Sequence, residues 1–188
     1  MSNLKKFQKL VIANAKRATG LDTGSKAPDF TLKNALGNTL TLSDILKSKS
    51  VILKFYRGEW CPICNLDLRS IQSKIEDINH LGVQLLAISP QNPNDALTMK
   101  EKNELQFEVL SDPNQTVIKS YNLQFDPGDD YHIRRDLTVL NGDGSKYLPV
   151  PATFIIDQSQ TIVYSHVEAD YTQRVSPDKI IQEIKSLK

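Results

Sequence analysis

Val51-Ile52-Leu53-Lys54-Phe55-Tyr56-Arg57-Gly58-Glu59-Trp60-Cys61-Pro62-Ile63-Cys64 is the stretch on which the reading of this chain turns. Residues 51–56 are mostly apolar and rich in β-formers, which predicts a central strand covered on both faces. Arg57 to Trp60 read as a loop. Pro62 suits the first turn of a helix, and Leu68, Ile71, Ile75 and Ile78 carry one apolar stripe forward until Gly82 stops it. Cys61 and Cys64 therefore sit at a strand-to-helix handover, three residues apart on one helical face, within bonding reach of each other. Unpaired backbone N–H groups and the positive helix end favour a thiolate there, and the Arg57 charge adds to this. An ordinary thiol of pKa ~8.5 is only a few per cent ionised at neutral pH, whereas one lowered to roughly 6.5 is about three-quarters ionised.

Outward from that stretch, strands and helices alternate. Val83 to Ser89 reads as a second buried strand, closing a β-α-β unit. Residues 95–103 read as a helix, 107–110 as a strand and 115–121 as a helix, the order of an α/β fold. Upstream, residues 29–32 and 36–40 form a hairpin before a helix capped by Ser43. Leu4, Phe7, Leu10 and Val11 recur at helical spacing in a lysine-rich segment ending near Gly20, an amphipathic N-terminal helix. Downstream, turn-rich residues 126–130 and 141–144 delimit an insertion to which no structure is assigned. Residues 153–157 and 161–164 pair as strands around 158–160. Ser176 and Pro177 start a final helix with Ile180, Ile181, Ile184 and Leu187 inward. The division that follows is a helical extension, residues 1–22, and an α/β domain, residues 23–188, with a central mixed sheet flanked by helices.

Of 188 residues, 39% are hydrophobic, enough for one real core, and a net charge of +1 gives no strong field towards nucleic acid or anionic membrane. The start lacks an apolar h-region and no apolar run approaches a membrane span, so the expected location is the cytoplasm. Two cysteines three apart are no secreted disulfide framework. They read as a redox pair in preference to two small buried hydrophobes, or to half a zinc site whose missing ligands the scattered His80, His132 and His166 do not supply. No metal and no cofactor is expected. Trp60, Arg57 and Glu59 become site candidates by adjoining the pair.

At residues 55–64 the sequence resembles the active-site segment of the peroxiredoxin-like branch of the alkyl hydroperoxide reductase and thiol-specific antioxidant (AhpC/TSA) family. Ala27-Pro28-Asp29-Phe30-Thr31-Leu32, the run from Leu148 to Asp157 and Asp170-Tyr171-Thr172-Gln173-Arg174 resemble the family's entry and late segments, so the likeness spans roughly residues 25 to 188. It implies a thioredoxin-like fold. Laid on the family's Phe-Tyr-Pro-x-x-x-Thr-x-x-Cys pattern, Cys64 takes the peroxide-attacking place, Arg57 stands where proline is usual, and Cys61 replaces the threonine that holds the peroxide. Arg174 matches an arginine near the family's active site. Where the family's catalytic arginine precedes its late strand, this chain has Pro151, which resembles the cis-proline that thioredoxins set against a CxxC.

The resemblance implies an antioxidant oxidoreductase: a thiol-dependent peroxidase in which Cys64 and Cys61 reduce hydroperoxides and an external thiol such as thioredoxin or glutathione recycles them. The alternative is a thioredoxin-like dithiol-disulfide oxidoreductase, with Cys61 attacking a disulfide substrate. A non-catalytic binding module of the same fold is the third class. Which sulfur is the more acidic, and whether the chain forms a homodimer, the residues leave open.

Overall fold

The computed structural model describes residues 3–187; Met1, Ser2 and Lys188, at the outer ends of the two predicted segments, lie outside the described residues. In chain order the elements are α1 (Asn3–Ala15), β1 (Thr31–Asn34), β2 (Thr39–Thr41), α2 (Leu42–Leu46), β3 (Ser50–Phe55), α3 (Pro62–Gln72), α4 (Ile75–His80), β4 (Val83–Ser89) and α5 (Pro93–Lys102). They continue as β5 (Glu108–Ser111), α6 (Thr116–Ser120), β6 (Gln124–Phe125), α7 (Asp129–Arg134), α8 (Leu137–Leu140), β7 (Leu148–Pro149), β8 (Ala152–Ile156), β9 (Ile162–Val167) and α9 (Pro177–Ser186). Seven strands form one mixed sheet in the order β2-β1-β5-β4-β3-β8-β9, and β6 pairs with β7 separately. β3, β4 and β5 run parallel, while β8 lies antiparallel to β3 with Phe55 opposite Ala152. This is the helix-flanked mixed sheet of a thioredoxin-like fold, as the alternating pattern predicts.

Strand β3 sits at the middle of the layers because its side chains alternate between two apolar cores. Val51, Leu53 and Phe55 enter one core, with Phe55 packed on Tyr121 and Phe154 at ring distances of 5.3 and 6.0 Å. Ile52 and Tyr56 enter the other, together with Leu68 and Ile71 of α3. Each such side chain contributes roughly 1.5–3 kcal/mol by leaving water. By the same alternation Lys54 faces α3, from a strand where it is 1% exposed.

The helix predicted to run from Pro62 to Gly82 is two helices, though its stripe of Leu68, Ile71, Ile75 and Ile78 stays buried. The Ser73 hydroxyl donates to the Ser70 carbonyl at 2.7 Å and the Lys74 N–H to Ile71, so the turn tightens and the axis breaks there. Helix α2 is capped from outside: its N-cap residue is Thr41, not Ser43, and the Asp29 carboxylate accepts the Ser43 N–H at 2.9 Å. In α9 the Ser176 hydroxyl accepts from the Lys179 N–H as expected, but Leu187, just past the helix, is 49% exposed instead of inward.

The buried stripe of α1 also differs from the predicted one. Val11 and Ala15 are buried while Leu4 is 67% exposed, because α1 lies on α7 with Phe7 stacked on Tyr131 at 5.8 Å. Spacing of four residues, 7-11-15, selects this face. The segment after α1 straps onto the far edge of the sheet: Gly24 N–H donates to Ile162, Ile162 N–H to Ser25, and the Ser165 hydroxyl to Leu21. Gly20 is required there, since its φ is +72° and a Cβ would lie 2.4 Å from Val167. The unassigned insertion holds the short helices α7 and α8; α7 is fastened by Asp126, which accepts the Gly128 N–H and pairs with His132 at 3.0 Å. Among the described residues no helix is long and apolar enough to cross a membrane.

Val11→Ala should lower the unfolding free energy by about 1–3 kcal/mol in urea titrations, whereas Leu4→Ala should stay within about 0.5 kcal/mol.

Candidate active site

Cys61 is the N-cap of α3 and Pro62 its first residue, so both sulfurs occupy the first turn as the sequence requires. The Cys64 N–H donates to the Cys61 sulfur at 3.3 Å, and both thiols are free. The preceding loop is clamped from α3: Asn65 Nδ2 donates to the carbonyls of Glu59 and Cys61 at 2.7 and 2.8 Å, and Asn103 orients Asn65 by donating to its Oδ1 at 2.7 Å. Gly58 leaves room for this close approach, because a Cβ on it would lie 2.4 Å from Trp60 Nε1 and 2.9 Å from Gln91 Oε1.

Beneath the pair runs a buried line of charges. Lys54 Nζ donates to Thr153 Oγ1 at 3.1 Å and pairs with Asp67 Oδ2 at 3.0 Å. Arg174 Nε lies 3.0 Å from the same carboxylate oxygen, and its Nη2 reaches to 3.9 Å from the Cys64 sulfur. Arg174 also donates through Nη1 to the Tyr171 and Gln173 carbonyls, which fixes the direction of the guanidinium. Lys54, which is buried, and Arg174, which is half-buried, face the Asp67 carboxylate and the Cys64 sulfur, a setting that favours the negative form of the sulfur.

Burial alone would push the Cys64 thiol up, but the hydrogen bond from Cys61, the Arg174 charge, the Arg57 backbone N–H and the Arg57 charge together lower it to about 6. Cys61 moves the opposite way, raised first by that hydrogen bond and then by burial and the Cys64 charge. The pair thus divides into a Cys64 thiolate and a Cys61 S–H donor beside it. Desolvation holds Lys54 below its ordinary range, against the opposing pull of Asp67.

A cleft of about 330 Å³ opens onto Cys61. Arg57, Trp60, Pro62 and Ile63 form one side, Tyr171 another, and Phe7 of α1 with Tyr131, Arg134 and Arg135 of the insertion the rest. Of the predicted residues the structure brings together Cys61, Cys64, Arg57, Trp60 and Arg174. Pro151 departs from expectation. No peptide bond among the described residues is cis, and Pro151 is no part of the cleft wall. Val150 N–H donates to Leu123 at 2.8 Å, holding an extended run straight into β8. Glu59 pairs with Lys102 at 3.5 Å, outside the cleft. The sequence reading missed Lys54 and Asp67. A lysine inside an apolar strand, and an acid three residues past Cys64 on the same helical face, were the available signals. Phe7, Tyr131, Arg134 and Arg135 gave none, because only the tertiary fold brings them to the pair.

The AhpC/TSA family model matches residues 23–165. A candidate peroxiredoxin, bcp, of Coxiella burnetii is 32% identical over 153 residues, covering 80% of this chain and 92% of that protein. The candidate peroxiredoxin bcp of Buchnera aphidicola is 36% identical over 105 residues, covering 56% of this chain and only 66% of that protein. Among solved structures, peroxidoxin BcpB from Mycobacterium tuberculosis superposes with a TM-score of 0.71 at 20% identity, covering 89% of this chain and 99% of that one, a shared fold.

Two outcomes test the charge line. Alkylation of Cys64 by iodoacetamide should rise through pH about 6 and level off by pH ~8, since a lowered thiol is ionised above its pKa; Arg174→Ala should move that midpoint up by roughly one pH unit or more. Asp67→Asn, which leaves Lys54 and Arg174 without their shared carboxylate, should cost about 3–5 kcal/mol in urea unfolding.

Proposed function

Because the chain belongs to the AhpC/TSA family, we propose that it is a peroxiredoxin-like thiol peroxidase in which Cys64 attacks the hydroperoxide and Cys61 resolves the product. The observation that carries this reading is the buried Cys64 sulfur, held at a pKa of about 6 with Arg174 at 3.9 Å. The Cys64 thiolate takes the terminal oxygen of ROOH, the O–O bond breaks, and Cys64 becomes a sulfenic acid while the alkoxide collects a proton. The Cys61 thiol then condenses with the sulfenic acid, forming the Cys61–Cys64 disulfide and releasing water. Two external thiol groups, from one molecule of a dithiol such as thioredoxin or two of a monothiol such as glutathione, return the pair to its reduced state.

Arg57 and Arg174 supply positive charge at the sulfur where the family's usual threonine and arginine are replaced by Cys61 and Pro151. Trp60 adjoins Cys61 on the cleft wall, where its fluorescence can follow the pair. The dithiol-disulfide exchange reading needs Cys61 as the first nucleophile, and a thiol raised by donating to its neighbour is a poor one. The chemistry is complete within one chain, so it suits a monomer and a homodimer alike, and it belongs in a reducing compartment such as the cytoplasm. On this reading residues 1–22 are an extension that lends Phe7 to the site of the domain formed by residues 23–188.

Stopped-flow fluorescence of Trp60 decides the roles. Reduced wild type mixed with hydrogen peroxide should show a concentration-dependent change ending in an intramolecular disulfide. Cys64→Ser should abolish peroxide consumption, and Cys61→Ser should complete one turnover and accumulate sulfenic acid. Peroxide turnover persisting in Cys64→Ser overturns the assignment.

A further inference from the structure

The cleft on Cys61 has a chemical character of which peroxide reduction uses only Arg57. Arg57, Arg134 and Arg135 line it, and no aspartate or glutamate does. Each guanidinium is stacked on an aromatic ring: Arg57 over Tyr171 at 4.2 Å, Arg134 over Phe7 at 4.7 Å and Arg135 over Trp60 at 4.4 Å. Stacking occupies the flat faces and leaves the in-plane N–H donors, whose fork matches a carboxylate. Arg57 is 2% exposed, and its Nε and Nη2 have no hydrogen-bond partner among the described residues. Buried donors in that condition call for an acceptor that arrives from outside.

What arrives must also meet sulfur. Cys61 lines the cleft and Cys64 does not, so a ligand seated there and reaching the oxidised pair touches Cys61. On the thiol-peroxidase reading above, we propose that this cleft is the docking site of the reductant, and that the reductant is a low-molecular-weight thiol bearing at least one carboxylate. Its carboxylate sits on the stacked arginines and its thiolate attacks Cys61 Sγ, breaking the Cys61–Cys64 bond, forming a mixed disulfide on Cys61 and expelling Cys64 as a thiolate. A second thiolate of the same kind attacks the sulfur of the bound thiol, forming RSSR and releasing Cys61, which takes a proton. Two thiols are oxidised and one protein disulfide is reduced. Expulsion in this direction is favoured because Cys64 is the more acidic leaving group. A volume of about 330 Å³ is in the range of small-molecule sites.

The test makes the disulfide with diamide, without peroxide, and follows its reduction through Trp60 fluorescence with mercaptosuccinate (anionic), 2-mercaptoethanol (neutral) and cysteamine (cationic), rates being expressed per thiolate. In wild type the mercaptosuccinate to 2-mercaptoethanol rate ratio should be about ten or more and should fall with added salt, with cysteamine the slowest. Arg134→Gln/Arg135→Gln should bring that ratio close to one, and Arg134→Lys/Arg135→Lys should restore part of it. A wild-type ratio near one, a ratio retained in the glutamine variant, or fast reduction by thioredoxin with no charge preference among the small thiols overturns the proposal. If hydrogen peroxide fails to oxidise the reduced protein while the diamide-made disulfide keeps the charge preference, the peroxidase reading falls and the anionic-thiol site stands.

Discussion

A negative sulfur shut inside a protein has to be answered by positive charge placed there before the reaction begins, and much of this fold is arranged around that requirement. Cys64 is 1% exposed, so water contributes little to holding its charge. Arg174 and Arg57 take over that task, but a third cation, Lys54, shares the same region and adds to the positive charge there. Asp67 settles the balance by pairing with both Lys54 and Arg174 through one oxygen. The Cys64 sulfur, the Asp67 carboxylate, Lys54 and Arg174 thus form one connected line of charges beneath the pair.

That set exists because the sheet supplies a fixed geometry. Lys54 points at α3 only because strand side chains alternate, and Asp67 meets it only because residue 67 lies one helical turn beyond Cys64. Asn65 and Asn103 then hold the loop so that the first turn of α3 presents both sulfurs in a fixed relation. The strand fixes Lys54, the helix fixes Cys64 and Asp67, and the loop between them is locked by Asn65 of that helix with Asn103 behind it.

Much of this was readable in the chain. The apolar run 51–56, Pro62 and the 68-71-75-78 stripe point to a central strand, a helix and the cysteines at their junction, and the alternation downstream gives the rest of the sheet. Details decided by competing local bonds were not readable: the Ser73 hydroxyl breaks one helix into two, and Asp29 caps a helix from 14 residues away. The expected cis bond before Pro151 is absent among the described residues, and isomer choice at an X-Pro bond is set by tertiary surroundings that spacing does not show. The cleft was invisible for a different reason. Phe7 and Arg134 are separated by most of a domain in sequence, and spacing rules reach only a few residues.

Arg174 stands 110 positions beyond Cys64, and its hold on the sulfur exists only when β9 and the segment after it have closed over the sheet. While a ribosome is still making the chain, residues 61 to 64 emerge long before that cation does. Over that interval Cys64 lacks the Arg174 charge that helps hold its thiolate. The full lowering of the Cys64 thiol is therefore a property the molecule acquires only when its last third has folded against α3.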